Sequence, residues 1–139
     1  MLQKLQEKIA RHFENRQGVV AVYLFGSVAK GKVRPSSDID IGIIVDEMNQ
    51  DVFNRVISAA IVELGRILRK DVHPVIMNTA SDELLRQIFS KGSCILVNDA
   101  GKLARHRMVM FARLADFGYY RRQMQSGFMR RVMEESHSG

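Results

Sequence analysis

The sequence predicts a mixed α/β (α+β) domain: a sheet of about four strands flanked by helices and followed by one long C-terminal helix. Three observations predict it. Short β-branched and apolar runs stand at residues 19–25, 38–45, 71–77 and 94–97, stretches with helical spacing separate them, and the final segment keeps a single apolar stripe. With 139 residues, 46% of them apolar and 26% charged, the chain suits one domain over residues 1–139 with a modest but sufficient core.

Each element has a local reason. Leu2, Leu5, Ile9 and Phe13 recur at helical spacing, and the helix they form should stop near Gln17 and Gly18. Val19 to Phe25 is β-branched and aromatic and ends abruptly at Gly26, as a buried strand entering a tight turn does. Asp38 to Val45 reads as the second strand. Residues 49–68 place Phe53, Val56, Ile57, Ala60, Ile61, Leu64 and Leu68 on one helical stripe that should pack on the sheet. Asp71 to Met77 has the apolar content of a strand, and Pro74 consigns it to an edge or a bulge. Ser81 is placed to cap a short helix over 81–89 with Asp82 and Glu83 in its first turn, and Cys94 to Val97 is a further strand.

Residues 26–40 hold the chemistry. Gly26 and Ser27 are followed, ten residues later, by Asp38-x-Asp40, and apolar strands flank both. Strand side chains alternate, so Asp38 and Asp40 emerge on one face while Ile39 and Ile41 point into the core. Adjacent carboxylates repel and raise each other's pKa, so a cation is the expected companion, and oxygen-only ligands suit Mg²⁺ or Mn²⁺. A Gly-Ser turn offers backbone N–H groups and a hydroxyl to an anion, with glycine allowing close approach. Phosphate on one side and metal on the other is the combined expectation.

The segment resembles the Gly-Ser-x10-Asp-x-Asp signature of the DNA polymerase β-like nucleotidyltransferase superfamily, including Ser37 just before the first Asp. That resemblance implies a nucleotidyltransferase-type mixed sheet and transfer of a nucleoside monophosphate from a triphosphate to a hydroxyl. It also implies two metal ions held by three carboxylates. Asp38 and Asp40 match the first two, and Gly26, Ser27 and Ser37 match the nucleotide-binding positions. Asp71, opening the strand that follows the central helix, is the candidate for the third. Small relatives often read Val-Asp-Leu-Val there, whereas this chain has Asp71, Val72, His73 and Pro74. His73 falls on the strand face of Asp71 and is therefore able to assist or replace it.

Length narrows the group. Polymerases and tRNA-end or poly(A)-adding relatives carry extra domains that grip nucleic acid, and this chain has little room beyond a catalytic core over about 17–100. It resembles the MntA-type antitoxins, which transfer AMP from ATP to a tyrosine of a HepT toxin, a ribonuclease of the HEPN type. The implied substrates are ATP and a protein acceptor, with no stable nucleic-acid partner. One rival is transfer to a small-molecule hydroxyl, disfavoured because such enzymes add a helical domain. The other is a non-catalytic antitoxin that neutralises its toxin by contact.

Charge is uneven. The formal net charge is +6, and residues 102–135 hold eight Lys and Arg against three acids, so most of the excess lies on the C-terminal helix expected over 102–134. Leu103, Met110, Leu114, Phe117, Met124, Phe128 and Val132 form its apolar stripe, with Arg105, Arg107, Arg113, Arg121, Arg122, Arg130 and Arg131 around it. Such a face is either simply solvated or a dock for an acidic partner or a nucleic-acid phosphate backbone. The absence of an apolar run of spanning length and of a secretory leader predicts a cytoplasmic protein without a membrane partner. Cys94, the only cysteine, sits in an apolar run and is expected as a buried structural thiol.

Overall fold

The computed structural model describes residues 2–32, 34, 36–46 and 49–126, with side chains through residue 115. Four strands form one mixed sheet in the order β3-β2-β1-β4. In chain order these are β1 (Val19–Phe25), β2 (Ile39–Val45), β3 (Val72–Ile76) and β4 (Ser93–Val97). Central β1 pairs antiparallel with β2 and β4, and β3 lies parallel to β2. Every residue of β1 is buried, as its unbroken apolar run requires of a strand covered on both faces.

Helices cover both faces. On one side lie α1 (Leu2–Phe13) and a long central helix built from α3 (Gln50–Ala59), a π-helical stretch (Ala60–Leu64) and α4 (Gly65–Leu68). Their Ile9, Phe13, Val56 and Leu64 pack against Val22, Leu24, Ile39, Ile41 and Ile43. On the other side α5 (Asp82–Lys91) and α6 (Ala100–Ser126) bring Leu85, Ile88, Leu103 and Met110 onto Val20, Tyr23, Phe25 and Ile44. A one-turn helix, α2 (Gly26–Ala29), caps the end of β1. The predicted α+β class, strand number and helical flanks are all present.

Local signals explain the boundaries. Ser81 accepts a hydrogen bond on its hydroxyl from the Leu84 N–H at 3.2 Å, the N-cap its position predicted. Asp99 does the same for α6, accepting from the Lys102 N–H at 3.0 Å, so that helix starts at Ala100 rather than near Lys102. Residues 127–134 of the expected helix, with Phe128, Val132, Arg130 and Arg131, lie outside the described residues. Pro74 sits in the edge strand β3, where a missing N–H is tolerated.

Two expectations need correction. Cys94 is exposed, because β4 is the other edge strand and its pattern leaves Ser93, Cys94 and Val97 uncovered. Ile61 is 49% exposed although it was expected on the inner stripe. The inner stripe runs through Phe53, Val56, Ala60 and Leu64, and the wider turn of the π-helical stretch carries Ile61 around its edge.

Candidate active site

The Gly26 turn and the Asp38-x-Asp40 pair meet because β1 and β2 are antiparallel neighbours. Phe25 at the end of β1 is paired with Asp40 near the start of β2, so residues far apart in the loop converge at one end of the sheet. Gly26 has φ +77°, a left-handed conformation that favours glycine. A Cβ on residue 26 would overlap the Asp40 Oδ2, so the absence of a side chain is also a requirement of space. Ser27 is exposed in the first turn of α2, and its carbonyl accepts from the N–H groups of Lys30 and Lys32, each at 3.2 Å.

Asp38 is the last loop residue before β2, and Asp40 is its second residue. Their side chains are 50% and 33% exposed, while Ile39 and Ile41 between and beyond them are fully buried, so the alternation read from the sequence holds. The carboxyl of Asp40 is raised from its ordinary pKa, chiefly by burial. The His73 imidazole works against that shift and the Asp38 charge adds to it.

His73 enters the site through the parallel register of β2 and β3, which sets it beside Asp40. Its Nε2 lies 3.9 Å from Asp38 Oδ2 and its Nδ1 lies 3.7 Å from Asp40 Oδ1. One imidazole thus faces both carboxylates, a different nitrogen toward each. Asp71 is placed differently. It stands one residue before β3, exposed, level with Asp38, and its carbonyl accepts the Ile39 N–H at 2.9 Å. Asp71, Asp38 and His73 all line a cleft of about 630 Å³ whose far wall is Ile61 and Gly65.

Ser37 is committed to its own loop. Its hydroxyl accepts from the Arg34 N–H at 2.8 Å and donates to the Lys32 carbonyl at 3.2 Å, which fixes the approach to Asp38. Two partly exposed carboxylates beside a bare glycine suit one divalent cation, with its other places left to water and phosphate oxygens. Among the described residues no three His, Cys, Asp or Glu side chains are already arranged to hold a metal ion, while Asp71 and Asp38 face the same cleft. Period-two alternation singled out His73 as sharing the face of Asp71, and only the strand register puts it, ahead of Asp71, against both carboxylates.

Comparison with known proteins follows the same line. Among solved structures, a chain of a toxin–antitoxin complex with AMP-PNP superposes with a TM-score of 0.65 at 20% identity, covering 92% of this chain and 98% of that one. A chain from the complex of a tri-AMPylated Shewanella oneidensis HEPN toxin with MNT antitoxin gives 0.62 at 19% identity, covering 96% and 99%. A chain of a MntA toxin–antitoxin complex carrying a Y104A substitution gives 0.66 at 22% identity, covering 89% and 97%. At these identities the likeness is one of fold. No curated protein matches the sequence significantly. Residues 7–101, which hold the second half of α1, the whole sheet and every candidate site residue, match the family described as polymerase beta, nucleotidyltransferase, and the chain is therefore a member of the polymerase β nucleotidyltransferase family.

Proposed function

We propose that this chain moves AMP from ATP to a hydroxyl of a protein, a tyrosine of a cognate HEPN-type ribonuclease toxin, and so acts as an antitoxin. The observation that carries the reading is the contact of the Asp40 carboxylate with the Gly26 turn, with Asp38 two residues away on the same face. Family membership supports nucleotidyl transfer, and the fold likeness to chains from toxin–antitoxin complexes supports the acceptor class.

In this mechanism Ser27 and the open Gly26 turn receive the triphosphate, which the absent Cβ lets close to the Asp40 carboxylate. Asp38 and Asp40 hold a divalent ion, Mg²⁺ or Mn²⁺, which when bound neutralises phosphate charge and lowers the pKa of the attacking hydroxyl. Ile39 and Ile41, fully buried on the opposite side of the strand, fix the direction of both carboxylates. Ser37 holds the preceding loop so that Asp38 keeps its position. The acceptor hydroxyl gives its proton to Asp71, which lines the same cleft as Asp38, as its oxygen attacks the α-phosphorus in line; the bond to the β-phosphate breaks and pyrophosphate leaves.

The test combines the purified chain, ATP, a divalent ion and the toxin encoded beside it, read by mass spectrometry. Addition of AMP to a toxin tyrosine is expected. An unmodified toxin under conditions where the pair binds would reject the reading. A second reading, neutralisation by contact alone, is favoured by the exposed Met108, Val109 and Phe111 on α6 beside the Arg107 guanidinium, 5.5 Å from the Phe111 ring. Cells separate the two: protection that survives Asp38→Asn with Asp40→Asn points to contact.

A further inference from the structure

We infer that His73 removes the second cation position of this site, leaving one divalent ion, on Asp38 and Asp40, where the family resemblance implies two. The inference rests on the proposed transfer chemistry. Three structural observations carry it. The parallel pairing of β2 with β3 brings His73, and not an acid, beside Asp40. The ring stands beside both carboxylates, its Nε2 3.9 Å from Asp38 and its Nδ1 3.7 Å from Asp40, and so occupies the side from which a third acid would have to share an ion with them. Asp71 stays at the strand entrance with its carbonyl tied to the Ile39 N–H, and no described trio is arranged around an ion.

Charge makes the same point. Two carboxylates carry two negative charges, enough to balance one divalent ion, while an imidazole brings no anion for a second. Mg²⁺ in particular asks for oxygen ligands and gives up water reluctantly, so a ring nitrogen is a poor replacement for a carboxylate oxygen. A second ion would enter a place that has lost both its ligand and its counter-charge. His73 is 57% exposed, so replacing it alters the site without opening the core.

The experiment counts ions. The full chain is loaded with one equivalent of an ATP analogue whose α and β phosphorus atoms are bridged by a methylene, then titrated with Mn²⁺ while the free ion is followed by electron paramagnetic resonance. One tightly bound Mn²⁺ per complex is expected for the parent chain. Two are expected for His73→Asp, the second close enough to broaden the spectrum by spin coupling. Two tight ions in the parent chain, or one in His73→Asp with its fold intact by circular dichroism, would overturn the inference. So would a parent count of two that drops to one in Asp71→Asn, which would make Asp71 the missing ligand. AMP transfer from ATP itself, measured on the same proteins before the analogue is added, keeps the two claims apart. Transfer with two ions bound defeats only the count, and one ion bound without transfer defeats only the proposed function.

Discussion

The Asp40 carboxylate fills the space that a side chain on Gly26 would need. The turn proposed to receive phosphate and the acid proposed to hold the cation are therefore a single packed unit. Gly26→Ala must either push Asp40 aside or bend the turn, and an L-residue in the left-handed region costs about 1 kcal/mol or more besides. Transfer of AMP is expected to fall by roughly 100-fold with the fold retained, since about 2.7 kcal/mol of lost transition-state stabilisation suffices for that factor. Initial rates with labelled ATP and a circular dichroism melt check both halves.

Asp40→Asn should separate stability from activity. Its folded pKa is raised above the ordinary 3.8, so the ionised form is disfavoured by folding. That cost sets in as pH rises from 3.8 through the raised value and persists at neutrality. Removing the charge is expected to raise the neutral-pH melting temperature while AMP transfer drops by roughly 1,000-fold, about 4 kcal/mol. A lower melting temperature at pH 7 would contradict the charge argument.

His12 gives the fold an acid limit. Its side chain is 2% exposed, its ring meets Phe13 edge-on at 4.6 Å, and its Nε2 has no hydrogen-bond partner among the described residues. Burial lowers its pKa first and the Arg16 charge second, against the pull of Glu63 3.7 Å from Nδ1. Because the unfolded chain takes up the proton more readily, stability should decline as pH falls from 6.5 toward the depressed folded value. Urea midpoints at pH 7.5 and 5.5 should differ more for the parent chain than for His12→Gln.

Asn98 ties three elements together after β4. Its Nδ2 donates to the carbonyls of Phe13 and Val19, each at 3.0 Å, and its Oδ1 accepts from the Asn15 N–H at 3.2 Å. Asn98→Ala removes all three of these hydrogen bonds, leaving the Phe13 carbonyl with the Arg16 N–H alone, and is expected to cost about 2 kcal/mol in urea unfolding. The Asp38 and Asp40 end of the sheet is remote in register, so AMP transfer at low temperature should change little.

Much of this was legible in the chain because it is decided locally. The burial of β1 follows from seven apolar residues in a row, the start of α5 from Ser81, and the shared face of Asp38 and Asp40 from strand alternation. What was not legible is tertiary. Cys94 belongs to an apolar run, yet nothing local says that β4 ends the sheet. Ile61 lies at the margin of a regular helical stripe, about 80° from Phe53 by helical geometry, and in the stretch that widens at Ala60–Leu64 it is left exposed. Asp71 and His73 are equally consistent with period-two spacing, and the pairing of Asp40 with residue 73 is a property of two strands rather than of either.

Pro74 lies one residue beyond His73, on the strand that borders the carboxylates. An edge proline turns its ring toward the side where an added strand would look for an N–H. The rim beside the carboxylates therefore offers an incoming strand one backbone donor fewer, which disfavours β-addition along the edge next to His73 and Asp40.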